Sequence, residues 1–136
     1  MTKMNAIYLG DKHCKAEHEP SQCVLETDAP KDNQGRGESF SPTDLVATAL
    51  GTCILTTMAI AAEKEQINLM NSKMTVEKEM SSNPRKIAKL KTIIELPNNL
   101  SLEKRKKLEE IAQNCPVKIS LHPDIQIPIE FKYTLI

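Results

Sequence analysis

Two cysteines occupy positions that suit redox chemistry. Cys53 lies inside residues 45–62, a run without any charged side chain, where apolar surroundings disfavour a thiolate. Cys115 directly precedes Pro116, and proline is favoured at the first position of a helix, so we expect Cys115 at a helix N-cap. Unpaired N–H groups at that helix end would lower the pKa of the Cys115 thiol. The alternative for both residues is a purely structural role, since free cysteine often serves as a small buried hydrophobic residue.

A thiol in apolar surroundings needs a nearby cation before it reacts. Arginine suits this task because it stays charged and its planar fork also binds oxygen atoms. The sequence has three arginines, which are Arg36, Arg85 and Arg105. Arg36 lies in the glycine-bearing loop of residues 28–40, directly before the helix that carries Cys53, and is therefore the expected partner of that thiol. The alternative is that Arg36 is simply a solvated charge in the loop, and the spacing alone favours this alternative.

A metal site is a competing interpretation of the N-terminal cysteines and histidines. His13, Cys14, His18 and Cys23 lie close together in the chain, but their spacings do not match a zinc-binding pattern. In a strand, His13 and Cys14 would also point to opposite faces. We expect structural or surface roles for these residues, with no metal and no cofactor.

Two further features have ordinary explanations. His122 lies near Cys115 and is a candidate base or ligand, although a histidine before proline at a helix end is usually a surface residue. Residues 104–107 are all basic, and Glu103 and Glu109 flank them. This pattern favours a helix face that is exposed to solvent.

The element that must position Cys53 is a helix over residues 41–66. Ser41 is a candidate cap, Pro42 fits the first helical position, and Asp44 puts a carboxylate in the first turn. The uncharged run 45–62 approaches the length of a membrane span, but its threonines and its charged end favour a buried helix. Such a run must be buried on nearly every side, and one thin sheet covers only one side. A second copy of the chain would supply the remaining cover, so we expect a homodimer.

The remaining periodicities predict an α+β domain with largely antiparallel pairing. The order is three strands, the long helix, two strands, two helices and a last strand, in a single domain of residues 1–136. The predicted strands cover residues 5–9, 12–17, 22–27, 73–80, 85–96 and 125–135, and the later helices residues 101–114 and 117–121. Pro128 falls inside the last strand, so we expect that strand at a sheet edge or a bulge there.

Composition excludes some classes of function. Eighteen basic residues balance eighteen acidic ones, and aromatic residues make up 3% of the chain, which argues against a nucleic-acid binder. The N-terminal residues lack the apolar run and the cleavage site of an export signal. We therefore expect a cytoplasmic protein with reduced thiols.

Two motifs resemble the OsmC/Ohr superfamily, the osmotically inducible protein C and organic hydroperoxide resistance proteins. The first is Ser-Pro-x-x-Leu at residues 41–45, which leads into the helix with Cys53. The second is Asn-Cys-Pro-Val-x-x-x-Leu around Cys115. The loop that begins Asp28-Ala29-Pro30 is also similar, and the forms of the motifs look most like the OsmC-like branch.

The resemblance implies an intertwined homodimer, in which antiparallel sheets wrap around long central helices. It implies that Cys53 is a peroxidatic thiol and Cys115 a resolving one, which together reduce organic hydroperoxides in a stress response. A dithiol such as a lipoylated protein would reduce the resulting disulfide. The alternative function is a non-enzymatic dimer that binds a small apolar ligand or senses redox state.

The sequence departs from the superfamily pattern at the partner of the catalytic arginine. The resemblance implies a glutamate directly after Pro42, where this chain has Thr43, and no arginine precedes Arg36. Asp44 and Glu38 are the acidic residues that we expect to support Arg36.

Overall fold

The computed structural model describes residues 1–136, and its elements follow the predicted order. They are β1 (Met4–Tyr8), β2 (His13–His18), β3 (Cys23–Asp28), α1 (Pro42–Glu63), β4 (Lys73–Ser81), β5 (Lys86–Pro97), α2 (Leu102–Ala112), α3 (Pro116–Ser120) and β6 (Ile129–Leu135). A short 3-10 turn at Lys31–Asn33 interrupts the predicted loop. The α+β class is confirmed. The chain forms two compact units, Met1–Val46 and Ala47–Ile136.

The first unit contains an antiparallel sheet in the order β1-β2-β3. Its two hairpins pair Met4 with His18 and His13 with Asp28. The turn between β1 and β2 needs left-handed backbone, which Gly10 adopts with φ +88°. In the single chain this sheet leaves several large apolar side chains exposed, namely Met4, Ile7, Tyr8, Val24 and Leu25.

The start of α1 has the reciprocal hydrogen bonds of a capping box. The backbone N–H of Asp44 donates to Ser41 Oγ at 3.1 Å, and the N–H of Ser41 donates to Asp44 Oδ2 at 2.9 Å. Pro42 occupies the first helical position. The predicted helix start is therefore confirmed, and the carboxylate of Asp44 serves as a cap.

One face of α1 is buried within the second unit. Its members follow a helical spacing and are Ala47, Leu50, Ile54, Met58 and Ala62. On the opposite face Ala49, Thr52, Thr56 and Ile60 are exposed in the single chain. The expectation of burial on nearly every side is therefore wrong for one copy of the chain, because one sheet covers one face. By length and composition α1 would also pass as a membrane span, with 33% of its most apolar stretch buried.

The second unit contains a sheet in the order β4-β5-β6. β4 and β5 form the predicted antiparallel hairpin, whereas β6 pairs with β5 in parallel. The parallel pairing arises because α2 and α3 form a crossover that returns the chain in the same direction. β6 is an edge strand, as expected, but it begins at Ile129, so the expectation that Pro128 lies inside it is wrong. Pro128 lies just before β6, and its carbonyl accepts from the N–H of Thr92 at 2.9 Å.

The core of the second unit is aliphatic. Leu90, Ile94 and Leu96 lie on one face of β5 and are fully buried, as is Leu108 of α2. Helix α2 begins at the predicted cap, since Ser101 Oγ accepts from the N–H of Lys104 at 3.3 Å.

Candidate functional site

Cys115 is the N-cap of α3, as its place before Pro116 predicts. Its Sγ accepts from the backbone N–H of Lys118 at 3.4 Å. The side chain is fully buried. The N-cap therefore lies inside the second unit rather than at a solvent-exposed helix end.

Cys53 and Cys115 lie together within the second unit. The Cys53 thiol is near enough to Cys115 to influence the pKa of the Cys115 thiol. Cys53 is half-buried on α1, and its Sγ lies 3.9 Å from Oγ1 of Thr57, one helical turn later. Both thiols are free rather than disulfide-bonded. Two thiols from different helices are thus close neighbours in one unit, and sequence analysis did not identify Thr57 as a neighbour of Cys53.

The predicted lowering of the Cys115 pKa is wrong. Burial raises the pKa of the Cys115 thiol, and the neighbouring Cys53 thiol raises it further. The backbone N–H groups of Lys118 and Val117 act in the opposite direction but do not outweigh these two causes. Burial therefore favours the protonated form of the Cys115 thiol, and Cys53 is the more accessible of the two residues.

Arg36 belongs to a charged cluster within the first unit, centred on Asp28. The guanidinium donates from Nε at 3.3 Å and from Nη2 at 3.2 Å to the same oxygen, Oδ1 of Asp28. Nη1 lies 4.0 Å from Oε2 of Glu38, whose backbone N–H donates to Asp28 Oδ2 at 3.1 Å. Of the two predicted supporting acids, Glu38 is a distant ion-pair partner of Arg36 and Asp44 is a helix cap. Asp28, which is 1% exposed, is the carboxylate that holds the arginine.

Sequence analysis missed Asp28 as a site residue, although a signal for it was present. The hairpin between β2 and β3 pairs His18 with Cys23, and the same register places His13 opposite Asp28. A register assignment for this hairpin would have brought a histidine and an aspartate together directly before the loop with Arg36. The residue after Pro42 is Thr43, and its hydroxyl lies 3.2 Å from Ser41 Oγ.

His13 links two carboxylates. Its Nδ1 lies 2.7 Å from Asp28 Oδ1, and its Nε2 lies 3.1 Å from Glu26 Oε1. Ionised carboxylates only accept hydrogen bonds, so both ring nitrogens must donate, which is the imidazolium form. The hydrogen bonds with Asp28 and then with Glu26 raise the pKa of His13. Burial alone would raise the pKa of Asp28, but the hydrogen bonds from His13 and Arg36 outweigh it and hold that pKa below its usual value.

Two glycines shape the loop around Arg36. A Cβ on Gly35 would overlap the carbonyl oxygen of Ala29, so the loop approaches β3 too closely for any side chain there. Gly37 has φ +63°, and its N–H donates to the carbonyl of Ala29 at 3.2 Å. The backbone on both sides of Arg36 is thus fixed against the end of β3.

The other candidate residues take no part in the contacts of Cys53, Cys115 or Arg36 described above. His122 is exposed, and its Nδ1 accepts from the N–H of Asp124 at 3.0 Å. Cys14 is half-buried and Cys23 is exposed. No group of three or more His, Cys, Asp or Glu side chains is arranged to hold a metal ion.

A cavity of about 580 Å³ lies in the second unit at the end of α1 and along the segment that follows. Its apolar lining includes Leu55, Ala59, Ile67 and Leu69. Neither Cys53 nor Cys115 lines it, so the cavity and the thiol pair are different features of this unit.

Comparison with known proteins identifies the family. The family model of OsmC-like proteins matches residues 35–130. A solved structure from Psychrobacter arcticus 273-4, provisionally assigned as an osmotic stress induced and detoxification response protein, is 38% identical, with a TM-score of 0.92 and 96% of each chain covered.

More distant structures share the fold. An organic hydroperoxide resistance protein OsmC from Legionella pneumophila is 20% identical with a TM-score of 0.75, covering 97% of this chain and 96% of that one. An organic hydroperoxide resistance protein from Elizabethkingia anophelis is 15% identical with a TM-score of 0.77, covering 97% and 95%. No curated protein matches the chain. The family model and the 38% identical relative together show that this chain has the OsmC-like fold and belongs to the OsmC-like protein family.

Proposed function

We propose that this protein is a thiol-dependent peroxidase that reduces organic hydroperoxides as a defence against oxidative stress. The observation that carries the proposal is the proximity of Cys53 and Cys115, two free thiols from different helices in the same core. Structural relatives named as organic hydroperoxide resistance proteins support the choice of substrate class.

The accessibility of the two thiols supports their separate roles. Cys53 is half-buried whereas Cys115 is fully buried, so Cys53 is the thiol better placed to be the nucleophile that meets the peroxide. Cys115 is buried and keeps its proton, which suits the thiol that acts second. Because the two thiols are close neighbours, the second step needs only a small rearrangement in this proposal.

The reaction balances with one dithiol as the electron donor. The Cys53 thiolate attacks the terminal peroxide oxygen, the O–O bond breaks, and the alkoxide takes a proton and leaves as alcohol. Cys53 is then a sulfenic acid. The Cys115 thiol attacks its sulfur, a disulfide forms, and water leaves. A dithiol, such as that of a lipoylated protein, reduces the disulfide by two exchange steps and becomes a disulfide itself.

Arg36 supplies the positive charge for the Cys53 thiolate in this proposal. A guanidinium stays charged at all relevant pH values, and it has five N–H donors with which to hold a peroxide oxygen. Three of its donors face Asp28 or Glu38, and the side chain remains 42% exposed. Arg36 can therefore be held by the first unit and still bind a second group.

The working form in this proposal is a cytoplasmic homodimer. The exposed face of α1 and the exposed apolar residues of the β1-β2-β3 sheet would be covered by the second copy. A cytoplasmic setting would keep the free thiols reduced between cycles.

The test is consumption of cumene hydroperoxide by the full chain with dihydrolipoamide as reductant. We expect turnover by the parent, loss of turnover in Cys53→Ser, and a single unrepeated reaction in Cys115→Ser, which leaves a sulfenic acid at Cys53. Cys23→Ser is the matched control, because Cys23 is exposed and has no thiol neighbour in this proposal. Its turnover should equal that of the parent.

The contrary outcome is a parent protein that does not consume the hydroperoxide and whose Cys53 stays a free thiol. The alternative function, a non-enzymatic dimer that binds a small apolar ligand, would then be favoured. The 580 Å³ cavity at the end of α1 would be the place for that ligand.

A further inference from the structure

Cys53 lies in the interior of α1, where the helix backbone has no N–H to offer a thiolate. Inside an α-helix each N–H donates to the carbonyl four residues earlier, and only the N–H groups of the first turn are left over. Cys53 lies well beyond the first turn of α1, which begins at Pro42. Cys115 differs in this respect, because it caps α3 and its Sγ accepts from the N–H of Lys118. A hydrogen-bond donor to Cys53 from within α1 must therefore be a side chain.

The side chain of Thr57 is such a donor. Its Oγ1 lies 3.9 Å from Cys53 Sγ. The two residues are one turn apart on α1, and helical side chains point towards the N-terminus, so the Thr57 hydroxyl reaches back towards Cys53. Both residues are half-buried, so the contact is partly shielded from water.

Two threonines of α1 use their hydroxyls in different ways. Thr52 Oγ1 donates to the backbone carbonyls of Thr48 at 2.9 Å and Ala49 at 3.3 Å, which is the common bond of a helical threonine. Thr57 instead has the Cys53 sulfur as its hydrogen-bond partner. Its hydroxyl proton is therefore available to the sulfur.

We propose that Thr57 is a further catalytic residue, whose hydroxyl donates a hydrogen bond to the Cys53 thiolate and so favours the ionised, nucleophilic form of the sulfur. The inference rests on the proposed function, since it assigns a role to a group beside the proposed nucleophile. Either atom can donate while Cys53 is a thiol, but a thiolate has no proton and only accepts. Ionisation thus makes Thr57 the donor of a charge-assisted hydrogen bond, which is stronger than a neutral one.

The setting of the contact supports this role. Catalytic hydrogen bonds are often long in the resting enzyme and shorten in the reacting complex, and neutral sulfur is a weak acceptor, so 3.9 Å suits the resting thiol. Cys53 packs against an otherwise aliphatic core, where one hydrogen bond to an anion matters more than it would in water. Because α1 carries both residues, no movement between elements is needed to bring the hydroxyl to the sulfur.

The test measures two rates at Cys53 in the full chain at neutral pH, namely alkylation by iodoacetamide and oxidation by cumene hydroperoxide, each followed by peptide mapping. Both reactions need the thiolate. Thr57→Val replaces the hydroxyl by a methyl group of similar size, and we expect it to slow both rates by about tenfold, the factor that 1.4 kcal/mol gives. Thr57→Ser keeps the hydroxyl without the methyl group and should leave both rates close to the parent values.

Thr52→Val is the matched control, because the Thr52 hydroxyl is bound to backbone carbonyls of the same helix. It makes the same chemical change on α1 and should leave both rates at the parent values. Parent rates in Thr57→Val would overturn the inference. Rates in Thr57→Ser as slow as those in Thr57→Val would overturn it as well, because the loss would then come from packing rather than from the hydroxyl.

Thr57→Ala and Thr57→Ser decide the question if Thr57→Val does not fold. These two variants lack the same methyl group and differ only in the hydroxyl. Thr57→Ser should therefore react faster than Thr57→Ala by about tenfold in both assays. Equal rates in the two variants would refute the role of the hydroxyl.

Failure of the proposed function has a different signature. A parent that cumene hydroperoxide does not oxidise refutes the peroxidase activity, while the alkylation rates still decide the role of Thr57. If Cys53 is alkylated equally fast in the parent and in Thr57→Val, the role of Thr57 is wrong, whether or not the parent consumes the hydroperoxide.

Discussion

At the scale of single residues, the charged cluster around Arg36 depends on Asp28, which accepts from both His13 and Arg36. Such a partner is harder to identify from the sequence than the candidate reactive groups themselves. Cys53, Cys115 and Arg36 are rare residue types next to strong helix and loop signals, so their candidacy follows from type and position. Asp28 is one of many acids, and only the register of a hairpin brings it to His13 and Arg36. The pKa direction of Cys115 was predicted wrongly because it depends on burial, which a local N-cap signal does not contain.

Gly35→Ala should weaken activity through the position of Arg36. The added methyl group would overlap the carbonyl oxygen of Ala29, so the loop must move away from β3. We expect the rate of Cys53 oxidation to fall at least as far as in Arg36→Ala, with a loss of roughly 1–3 kcal/mol in the free energy of unfolding.

The control for this prediction is Gly10→Ala. A Cβ on Gly10 meets no atom within 4 Å, although its φ of +88° makes the substitution strained. It should cost about 1 kcal/mol of stability without changing the oxidation rate. Parent activity in Gly35→Ala would show that the loop conformation around Arg36 is unimportant.

His13 should make the stability of the protein depend on pH. Its pKa is raised above the unfolded value of 6.5 by Asp28 and Glu26, so its contribution is complete below that pH and is lost as the pH rises through the folded pKa. The free energy of unfolding of the parent relative to His13→Asn should therefore be larger at about pH 6 than at about pH 9. Urea unfolding at both pH values measures it, and an equal or larger difference at the higher pH would contradict the assignment.

At the scale of elements, helix starts were predictable and strand partners were less so. Ser41, Ser101 and Cys115 all cap helices where the sequence places them, because a cap is decided by a few neighbouring residues. The parallel pairing of β5 with β6 was not predicted, since it depends on the path of the intervening helices. The β4–β5 hairpin was predictable because its turn is short and its strands are adjacent in the chain.

Tyr133→Phe tests how β6 is tied to α2. The Tyr133 hydroxyl donates to Glu109 Oε2 at 2.6 Å, and Arg105 lies 4.2 Å from the centre of the same ring. Burial and the Glu109 carboxylate both raise the pKa of the tyrosine, so it is neutral and a donor at ordinary pH. Removal of the hydroxyl should lower the free energy of unfolding by about 1 kcal/mol while the ring keeps its contact with Arg105.

Tyr8→Phe is the control, since Tyr8 is 63% exposed and its hydroxyl only accepts from the N–H of Lys12 at 3.2 Å. Its effect on urea unfolding should be within about 0.5 kcal/mol of zero. A Tyr133→Phe protein as stable as the parent would show that this hydrogen bond does not hold β6 to α2.

At the scale of the whole molecule, the order of elements and the α+β class follow from the periodicity of the sequence. The periodicity does not show which faces of α1 are buried within one chain. An uncharged helix predicts burial, but the single chain buries only the face that carries Leu50, Ile54 and Met58. The opposite face, with Thr56 and Ile60, is what the proposed homodimer would cover.

Sedimentation of the full chain at micromolar concentration should show a dimer. Ile60→Glu places a charge on the exposed face of α1, where Ile60 is 56% exposed, and should shift the protein to a folded monomer. The control is Leu102→Glu at a position that is 80% exposed on α2, which should leave the dimer intact. A well-folded monomeric parent would refute the dimer.

The central claim is that Cys53 and Cys115 form one reversible redox pair, and peptide mapping tests it most directly. The reduced full chain is treated with an equimolar amount of cumene hydroperoxide, alkylated and digested, before and after dihydrolipoamide. The account predicts a Cys53–Cys115 crosslink that the dithiol reverses, with Cys14 and Cys23 still alkylated. A Cys53 that remains a free thiol, or a crosslink that involves Cys14 or Cys23 instead, would contradict it.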